Sequence, residues 1–506
     1  IKIWRMSLDS GIQPEGITQA IIAPQQKPGG LTSKAEDQRP IALTTHQSKH
    51  FERIVRQEIT THMEKYNLYN PTQFGFRQGR STISQLLAAY DDILFHLEHG
   101  RDVDVVYLDF SKAFDKVDHN ILLEKLKRIN IGGKLLRWIE SFLKSRQQRV
   151  RVDDVLSEPV NVTSGVPQGS VLGPLLFLIM MTDIDENIQG AKAVCYADDT
   201  RMMKGITSPH DHILLQGQLN VIYKWAKDNR MFFNEKKFEC LSISKLERVP
   251  QFSTPNGLPI VNKPSVKDLG ITLQTDLSFS KHISTIAAKG IRLAGWVDRS
   301  FKFRTTQLMR TLLKQLVVPQ VEYGCVIWHP RTQQLTNLLE SVQRRFTKKF
   351  PCFWQYNGVA ERYECSCSYK DRLKELKLFS LEQRRERYLI IMLFKIAIEY
   401  VVNPGLVVEV DQRGRWRYHR KFTTDNNIPA WIRSARNNGF HSNGPLLFNN
   451  LPSHLRVRND PATDPRQGRK LINSFKTKLD SFLAGIEDDP GTRANSLLNR
   501  LGVEFQ

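Results

Sequence analysis

Three aspartates that end apolar segments are the residues of this chain best suited to chemistry. Asp198 and Asp199 follow the apolar segment 193–196, which predicts a short strand that turns back at a hairpin carrying both acids. The apolar segment 103–110 predicts a second strand, with Asp109 near its end. Carboxylates that two strands present side by side suit divalent cations, because hard Mg²⁺ prefers oxygen ligands. Two such ions, roughly 4 Å apart, can hold both oxygens of a phosphoryl transfer, so the pattern predicts polymerase-type chemistry.

A structural interpretation of the paired aspartates competes with the catalytic one. Aspartate is common in turns, because its side chain bonds its own backbone and tolerates unusual dihedral angles. Between the two acidic strands lies a loop that reads SGVPQGSVLGP at 164–174. Its glycines allow the backbone to approach a ligand closely, and Gln168 offers both a donor and an acceptor. Glycine-rich turns are also widespread, so the loop alone decides nothing.

Apolar periodicity predicts the elements that must position these residues. Apolar side chains recur at three- and four-residue intervals in two helices near the N-terminus, one marked by Phe51 to Tyr66 and one by Ile83 to Leu97. After the strand that ends near Asp109, we expect a helical stretch over 120–144, strands around 148–152 and 160–163, and a helix leading to the hairpin. Another helix and a strand at 240–244 follow. This order predicts an α+β fold, a mixed sheet covered by helices on one face.

The part of the chain beyond about residue 280 is predicted to be mostly helical and is basic. One segment of it, at 413–421, interleaves Arg and Lys with Trp416, Tyr418 and His419. Such a composition suits phosphate contact together with base stacking. A solvated turn between strands fits the segment equally well.

The overall charge favours a polyanionic partner. The 506 residues contain 73 Lys and Arg against 52 Asp and Glu, a formal net charge of +21. This balance indicates nucleic acid binding without specifying the reaction. We find no signal peptide and no apolar run of the ~20 residues that cross a bilayer, so no membrane is expected as a partner. Six scattered cysteines predict a reducing, intracellular location in nucleus and cytoplasm.

Three segments together resemble a known family. Motifs A, B and C of reverse transcriptases are similar to DFSKAFD at 109–115, SGVPQGS at 164–170 and YADD at 196–199, respectively. The residues in these segments are most similar to those of non-LTR retrotransposons of the LINE-like, jockey and CR1 type. Further segments agree in the same order: RPIAL at 39–43, FERIV at 51–55, QFGFR at 73–77, NEKK at 234–237, LGITL at 269–273, EYGCVIW at 322–328 and QRR at 343–345.

The resemblance implies a right-hand polymerase. Residues 1–100 would form the fingers, 101–280 the palm with motifs A to D, and 281–350 a helical thumb. Residues 351–506 would form a mostly helical, basic C-terminal region, for which template RNA binding is the expected role. Relatives of this type carry an N-terminal endonuclease that nicks target DNA, and we expect this chain, which starts at Ile1, to be a truncated copy without one.

The resemblance also implies roles for individual residues. Asp109, Asp198 and Asp199 would bind two Mg²⁺ ions, with Mn²⁺ as an alternative, and the backbone carbonyl of Phe110 would add a ligand. Lys237 resembles the motif D lysine that protonates pyrophosphate, although the neighbouring Lys236 leaves this register open.

Four further residues are expected to contact the incoming nucleotide. Phe114 matches the aromatic that excludes a ribose 2′-hydroxyl, with ordinary core packing as the alternative. Gln168 would touch the nucleotide, and Arg39 and Lys27 would hold its triphosphate. Asp115 and Asp118 are expected to be structural or solvated rather than metal-binding.

The expected function is therefore RNA-directed DNA synthesis, with an RNA template, a DNA primer or target and dNTPs as partners; the sequence leaves protein partners unknown. Two alternatives stay open. One is a catalytically inactive or domesticated remnant that only binds nucleic acid, and the other is an RNA-dependent RNA polymerase, against which Phe114 argues.

Overall fold

The computed structural model describes residues 2–244, 250–357, 362–365, 367–403, 406–420, 428–459, 461–462, 464–490 and 496–501. Its helices are α1 (Lys2–Ser10), α2 (His46–Lys65), α3 (Thr82–Glu98), α4 (His119–Arg128), α5 (Gly133–Lys144), α6 (Gly173–Met180), α7 (Pro209–Asp228), α8 (Ser280–Ser300), α9 (Thr306–Leu312), α10 (Val318–Glu322), α11 (Gln333–Thr347), α12 (Tyr369–Glu375), α13 (Leu381–Ala397), α14 (Ala430–Asn438), α15 (Phe440–Asn449), α16 (Pro465–Ala484) and α17 (Leu497–Arg500). Its strands are β1 (Gln19–Gln26), β2 (Gln38–Leu43), β3 (Asp102–Leu108), β4 (Gln147–Val152), β5 (Val155–Leu156), β6 (Val160–Asn161), β7 (Lys192–Tyr196), β8 (Asp199–Ile206), β9 (Glu239–Ile243), β10 (Val261–Asn262), β11 (Ser265–Asp268), β12 (Ile271–Gln274), β13 (Trp354–Asn357), β14 (Arg362–Cys365), β15 (Leu406–Val410) and β16 (Trp416–Arg420).

The chain divides into two compact units. The first contains Ile1–Gln78, Asp104–Cys240 and Val249–Asn262, and the second contains Gly79–Val103, Leu241–Arg248 and Lys263–Gln506. All candidate site residues lie in the first unit. The four-part division into fingers, palm, thumb and C-terminal region is a functional one, and it stays a prediction.

Two sheets lie wholly or mostly in the first unit. One has the strand order β10-β9-β3-β8-β7, with β7 and β8 antiparallel and β9 and β10 parallel. The other has the order β2-β1-β4-β5, with β6 on β4, and it mixes a parallel β1–β4 pair with antiparallel ones. The predicted α+β fold with a mixed sheet is confirmed.

Apolar faces explain how helices cover the sheet that carries the aspartates. On α2 the predicted stripe of Phe51, Val55, Ile59 and Met63 is buried at 2% exposure or less. The helix α6 is apolar all round and entirely buried apart from Pro174, as expected of a central core helix. These side chains form one cluster with the ends of the acidic strands, so the carboxylates stand on a rigid base.

The prediction of one long helix before the second sheet strands was incomplete. The helical stretch expected over 120–144 is two helices, because Asn130 and Gly133 adopt positive φ angles of 61° each and end the helical path between α4 and α5.

The aromatics Trp416 and Tyr418 of the basic segment 413–421 are not available for base stacking. Trp416 and Tyr418 of β16 are buried, and the Tyr418 hydroxyl donates to the carbonyl of Leu393 at 2.7 Å. Lys421, the last residue of that segment, lies outside the described residues.

The second unit is mainly helical. Its helix α8 packs closely on its neighbours at Gly290, where an added Cβ would lie 2.8 Å from Val321 and 3.0 Å from Val342. Within the described parts of both units, no helix combines the length and the apolar character needed to cross a membrane.

Candidate active site

The tip of the β7–β8 hairpin carries Asp198 in a tight turn. Tyr196 pairs with Asp199, so Ala197 and Asp198 alone connect the two strands. Two-residue hairpin turns need positive φ, and Ala197 has φ +56° although it is not a glycine. A non-glycine residue in this region costs roughly 1–2 kcal/mol, so surrounding contacts must hold the turn in place.

Residues 72–75, far away in sequence, hold this turn. The Gln73 side chain accepts from the Ala197 amide at 2.8 Å and donates to the Ala197 carbonyl at 3.1 Å. The Phe74 amide donates to the carbonyl of Cys195 at 2.9 Å. At Gly75 an added Cβ would lie 2.4 Å from the Ala197 nitrogen. The strained turn is therefore fixed by a buried amide side chain and by a glycine that leaves it room.

Asp198 lies in an environment that disfavours its charge. Burial raises the pKa of its carboxyl group above the ordinary value, and the nearby Asp109 carboxylate raises it further. A hydrogen bond from its own backbone and the cations Lys237 and Arg39 act in the opposite direction. The structure thus brings together Asp198 and Asp109 from two different strand ends, with two basic side chains near them.

Lys237 forms an ion pair with Asp109. Its Nζ lies 3.0 Å from Asp109 Oδ2, with the two side chains 63% and 31% exposed. The Asn234 amide donates to the Asp109 carbonyl at 2.8 Å, which anchors the lysine segment beside the strand end. So exposed a pair contributes at most about 1 kcal/mol to stability, which leaves the lysine able to exchange with another cation. Of the two adjacent lysines it is Lys237 whose ammonium contacts Asp109, while its predicted catalytic role stays a prediction.

Asp199 differs from the other two aspartates in being exposed at the start of β8. Among the described residues, no group of three or more His, Cys, Asp and Glu side chains is arranged to hold a metal ion. The donor set nevertheless fits a hard cation. Asp109 and Asp198 supply carboxylate oxygens, and repulsion by Asp109 raises the pKa of Asp198. A cation, the Lys237 ammonium, already lies at Asp109.

Two phenylalanines of the DFSKAFD segment have different surroundings. Phe110 is buried and stacks on Phe233, with ring centroids 4.4 Å apart, so its side chain belongs to the core. Phe114 is half-buried and stacks on Phe177 at 4.4 Å, with Phe76 meeting its ring edge-on at 6.1 Å. Because Phe114 is held from two sides, its ring has a fixed position.

The glycine-containing loop packs tightly against its neighbours. Gly169 has φ +111°, and a Cβ there would lie 2.7 Å from the carbonyl oxygen of Ala42. The Gln168 side chain donates to Asp115 Oδ1 at 2.9 Å, and the backbone carbonyl of Gln168 accepts from the Ala42 amide at 2.7 Å. The loop borders a cavity of ≈ 360 Å³, which is also lined by Lys112, Asp115, Lys116, Arg146 and Gln148.

The two acids expected to be structural behave differently. Burial raises the pKa of Asp115, while the hydrogen bond from Gln168 and the cations Lys112, Lys27 and Lys116 lower it. Asp118 caps α4 by accepting from the Asn120 and Ile121 amides, and it pairs with Arg230 at 2.7 Å.

Arg39 and Lys27 come from the β1–β2 hairpin, and they act on different carboxylates. Arg39 is exposed on β2, where its charge lowers the pKa of Asp198 against the effect of burial. The Lys27 ammonium donates to the Glu36 carbonyl at 2.7 Å, and its charge is felt at Asp115. Whether either holds a triphosphate stays a prediction.

Sequence reasoning assigned no role to Gln73 or Gly75. Both belong to the segment QFGFR at 73–77, which was matched to the family only as a whole. The residue that they contact, Ala197, is 124 residues away from Gln73. A glutamine followed two positions later by a glycine is too weak a signal to indicate such a contact.

Part of the chain matches a known protein family. Residues 25–273 match the family described as reverse transcriptase (RNA-dependent DNA polymerase), and this range includes every candidate site residue. The chain therefore contains a reverse transcriptase domain, which spans just under half of its length. This match supports the right-hand polymerase architecture and implies catalysis that depends on a divalent metal ion.

The chain is similar to proteins of Drosophila mobile elements. It is 29% identical over 345 residues to the probable RNA-directed DNA polymerase from transposon X-element of Drosophila melanogaster, covering 66% of this chain and 38% of that protein. It is 28% identical over 366 residues to the RNA-directed DNA polymerase from mobile element jockey of the same species, covering 69% and 39%. The predicted resemblance to non-LTR retrotransposon reverse transcriptases is confirmed, and the alignments span less than half the length of these relatives.

Among solved structures, apo telomerase from Candida tropicalis aligns with 78% of this chain and 64% of its own, at 10% identity and a TM-score of 0.42. This likeness is too weak to carry an argument, so the assignment depends on the sequence family and on the site.

The charges around Asp198 predict opposite changes in its pKa for two substitutions. In the metal-free protein, Asp109→Asn is expected to lower the pKa of Asp198, because it removes a repelling carboxylate, whereas Lys237→Ala is expected to raise it. Carboxyl ¹³C shifts followed against pH measure both changes. Since a metal ligand must be deprotonated, metal affinity should fall as pH drops through this raised pKa. Changes of the same sign in both variants would contradict the arrangement.

Proposed function

We propose that this protein is an active RNA-directed DNA polymerase, which adds dNTPs to the 3′-hydroxyl of a DNA primer paired with an RNA template. The observation that carries the proposal is the placement of Asp198, on a tightly held hairpin tip, beside Asp109 at the end of a neighbouring segment. The family of the domain supports it. We propose the nucleus and the cytoplasm as its location.

The proposed metal ligands are Asp109, Asp198 and the carbonyl of Phe110, with Asp199 at the exposed edge of the site. Two Mg²⁺ ions, or Mn²⁺ in their place, would activate the primer hydroxyl and neutralise charge on the leaving pyrophosphate. In this structure Lys237 compensates the charge of Asp109. A metal ion held by Asp109 would compete with the Lys237 ammonium for this carboxylate, and the displaced ammonium would be free to donate a proton to the leaving group.

Binding of the incoming nucleotide is proposed for the surfaces next to the carboxylates. Arg39 carries its charge near Asp198, where a triphosphate would be neutralised, and Lys27 extends the same hairpin. Gln168 lies on the tightly packed loop, and its hydrogen bond to Asp115 keeps its amide oriented toward the cavity that both side chains line. These residues bind and orient the nucleotide and do not take part in bond making.

Phe114 is the proposed selector of deoxynucleotides. Replacing it with valine is expected to raise rNTP incorporation at least tenfold relative to dNTP incorporation, because the stacked ring that would meet a 2′-hydroxyl is removed. Steady-state kcat/KM values for matched dNTP and rNTP pairs measure the ratio. Phe303→Val is the control, since that ring is 90% exposed and is not among the candidate site residues.

An unchanged ratio in Phe114→Val would assign this ring to packing alone. If the unaltered protein already prefers rNTPs, an RNA-dependent RNA polymerase replaces the proposed function.

Primer extension separates the proposal from that of an inactive remnant. A DNA primer annealed to RNA should be extended when dNTPs and Mg²⁺ are supplied. A remnant that only binds nucleic acid would show salt-sensitive RNA binding without extension, since phosphate neutralisation alone drives that binding.

A further inference from the structure

A buried carboxylate that the proposed chemistry does not use lies on the inner face of α2. Glu52 is 0% exposed and is next to Phe51 of the buried apolar stripe. A glutamate is almost never buried to this degree unless its charge is compensated, because removing a charge from water is costly. The contacts of Glu52 therefore indicate what this charge does.

The Glu52 carboxylate holds the chain where the glycine-containing loop leads into α6. Its Oε2 accepts from the amides of Val171 and Leu172, at 2.7 and 3.0 Å. Its Oε1 accepts from the Ser48 hydroxyl at 2.9 Å, which fixes the orientation of the group. Amides at the start of a helix lack partners within the helix and carry partial positive charge, so an anion is favoured there. Glu52 thus anchors one end of the loop.

Two further buried side chains hold the opposite end of the loop. The carbonyl of Gly165 accepts from Nε2 of His119 at 2.9 Å and from Nη2 of Arg146 at 3.3 Å. Burial lowers the pKa of Arg146 to about 10, and the negative charge of Glu52 acts in the opposite direction. The two anchored ends are therefore linked through opposite buried charges. We call Glu52, His119 and Arg146 the loop frame.

The loop frame supports two of the groups proposed to contact the nucleotide. Gln168 lies between the two anchored ends, so a displacement of either end moves this side chain. The Val166 amide donates to the carbonyl of Phe114 at 2.8 Å, and α6 carries Phe177, which stacks on the Phe114 ring at 4.4 Å. The position of the proposed sugar selector therefore depends on the same anchors.

We propose that Glu52 is a positioning residue that sets nucleotide affinity and sugar selection, an inference that rests on the proposed function. Its carboxylate acts through the loop frame to place Gln168 and Phe114, and it is too deeply buried to contact the nucleotide itself. The proposed metal ligands Asp109 and Asp198 lie on other segments. Loss of the Glu52 carboxylate should therefore change KM for the nucleotide more than kcat.

The test measures kcat and KM for dNTP in primer extension on RNA, the ratio of kcat/KM for dNTP and rNTP, and the Kd for dNTP on a chain-terminated primer. Glu52→Ala leaves two buried amides without an acceptor, so it is expected to raise KM and Kd about tenfold and to lower the preference for dNTP at least about threefold. Glu52→Gln keeps an oxygen acceptor and should recover part of each loss. Glu58→Gln changes an exposed carboxylate of the same helix, and as the control it should alter none of these values.

A double variant tests the link between the two ends of the loop. Glu52→Gln alone leaves the Arg146 guanidinium buried without its opposite charge, and Arg146→Gln alone does the same to Glu52. Replacing both members of a buried pair is less harmful than replacing one, so the changes in log KM should be less than additive in the double variant. Additive changes would overturn the loop frame as a linked unit.

A destabilised fold and a displaced loop give different results. A smaller folded fraction lowers the apparent kcat and leaves KM, Kd and the preference for dNTP unchanged. That pattern in Glu52→Ala and Glu52→Gln would assign Glu52 to folding alone and overturn the proposal, as would equal changes in the Glu58 control. Thermal melting of each variant measures the stability directly.

The outcomes also separate this proposal from the function on which it rests. If the unaltered protein binds dNTP with a Kd that depends on Glu52 but incorporates none, the proposed function fails and the positioning role stands. If it incorporates dNTP with a KM that does not depend on Glu52, the positioning role fails and the function stands. Failure of the unaltered protein to bind dNTP at all would overturn both.

Discussion

Asp198→Asn is expected to lower dNTP incorporation by at least about a thousandfold, because loss of an anionic metal ligand removes several kcal/mol of transition-state stabilisation. The substitution preserves size, and it removes a carboxylate whose charge burial already disfavours, so the fold should be kept or slightly stabilised. Single-turnover extension of a labelled DNA primer on RNA, at saturating Mg²⁺ and dNTP, measures the loss. Thermal melting measures the stability.

A matched control for this substitution is available in the same unit of the chain. Asp118→Asn also removes one aspartate charge, but asparagine caps a helix as well as aspartate does, and the Arg230 side chain whose ion pair it removes is 70% exposed. This control should extend primers at nearly the unaltered rate. Equal activity of the two variants would show that Asp198 is a turn residue and not a metal ligand.

Gly75→Ala is expected to reduce kcat about a hundredfold with little change in template affinity, because misplacement of a catalytic group by about 1 Å costs that much. The new Cβ would lie 2.4 Å from the Ala197 nitrogen and 3.0 Å from its Cα, so the strained turn that carries Asp198 must move. Gln73→Ala removes the hydrogen bonds to the same residue and should act in the same direction. The measurement is the pair kcat and KM from primer extension.

Gly217→Ala is the control for this prediction. No atom lies within 4 Å of a Cβ added at Gly217, and alanine in the middle of α7 should stabilise the helix by up to about 1 kcal/mol. Activity should therefore be retained. If Gly75→Ala melts like the unaltered protein and also retains kcat, the segment 72–75 does not position the catalytic turn.

Local sequence patterns predicted the elements near the site well. The apolar run before Asp198 and the period-3.6 stripe on α2 depend only on neighbouring residues, and both elements are present in the structure. The break between α4 and α5 was missed, although Asn130 and Gly133, which have positive φ, are residue types that commonly end a helix.

Contacts between distant segments could not be derived from the sequence. The bonds from Gln73 to Ala197 and the pair of Gln168 with Asp115 join residues whose separation carries no local signal. The aromatics of β16 were misleading for a related reason. Their alternation with basic residues suits nucleic acid, but it equally suits a strand whose Trp416 and Tyr418 face the core of the second unit.

The assignment of candidate roles shows the same division. Motif spacing was sufficient to select Asp109 and Asp198, which the structure brings together. The same spacing also selected Asp199, which the structure leaves exposed. It also selected Lys237 but could not choose between this residue and Lys236. The contact with Asp109 comes from the fold of the segment that follows α7.

The most direct measurement is extension of a DNA primer on an RNA template by a single labelled dNTP, with the unaltered protein and Asp198→Asn side by side in Mg²⁺. We predict that the unaltered protein adds the nucleotide complementary to the template and that the variant adds none above background. Equal extension by both proteins would contradict the account, as would binding of the primer–template by the unaltered protein without any extension.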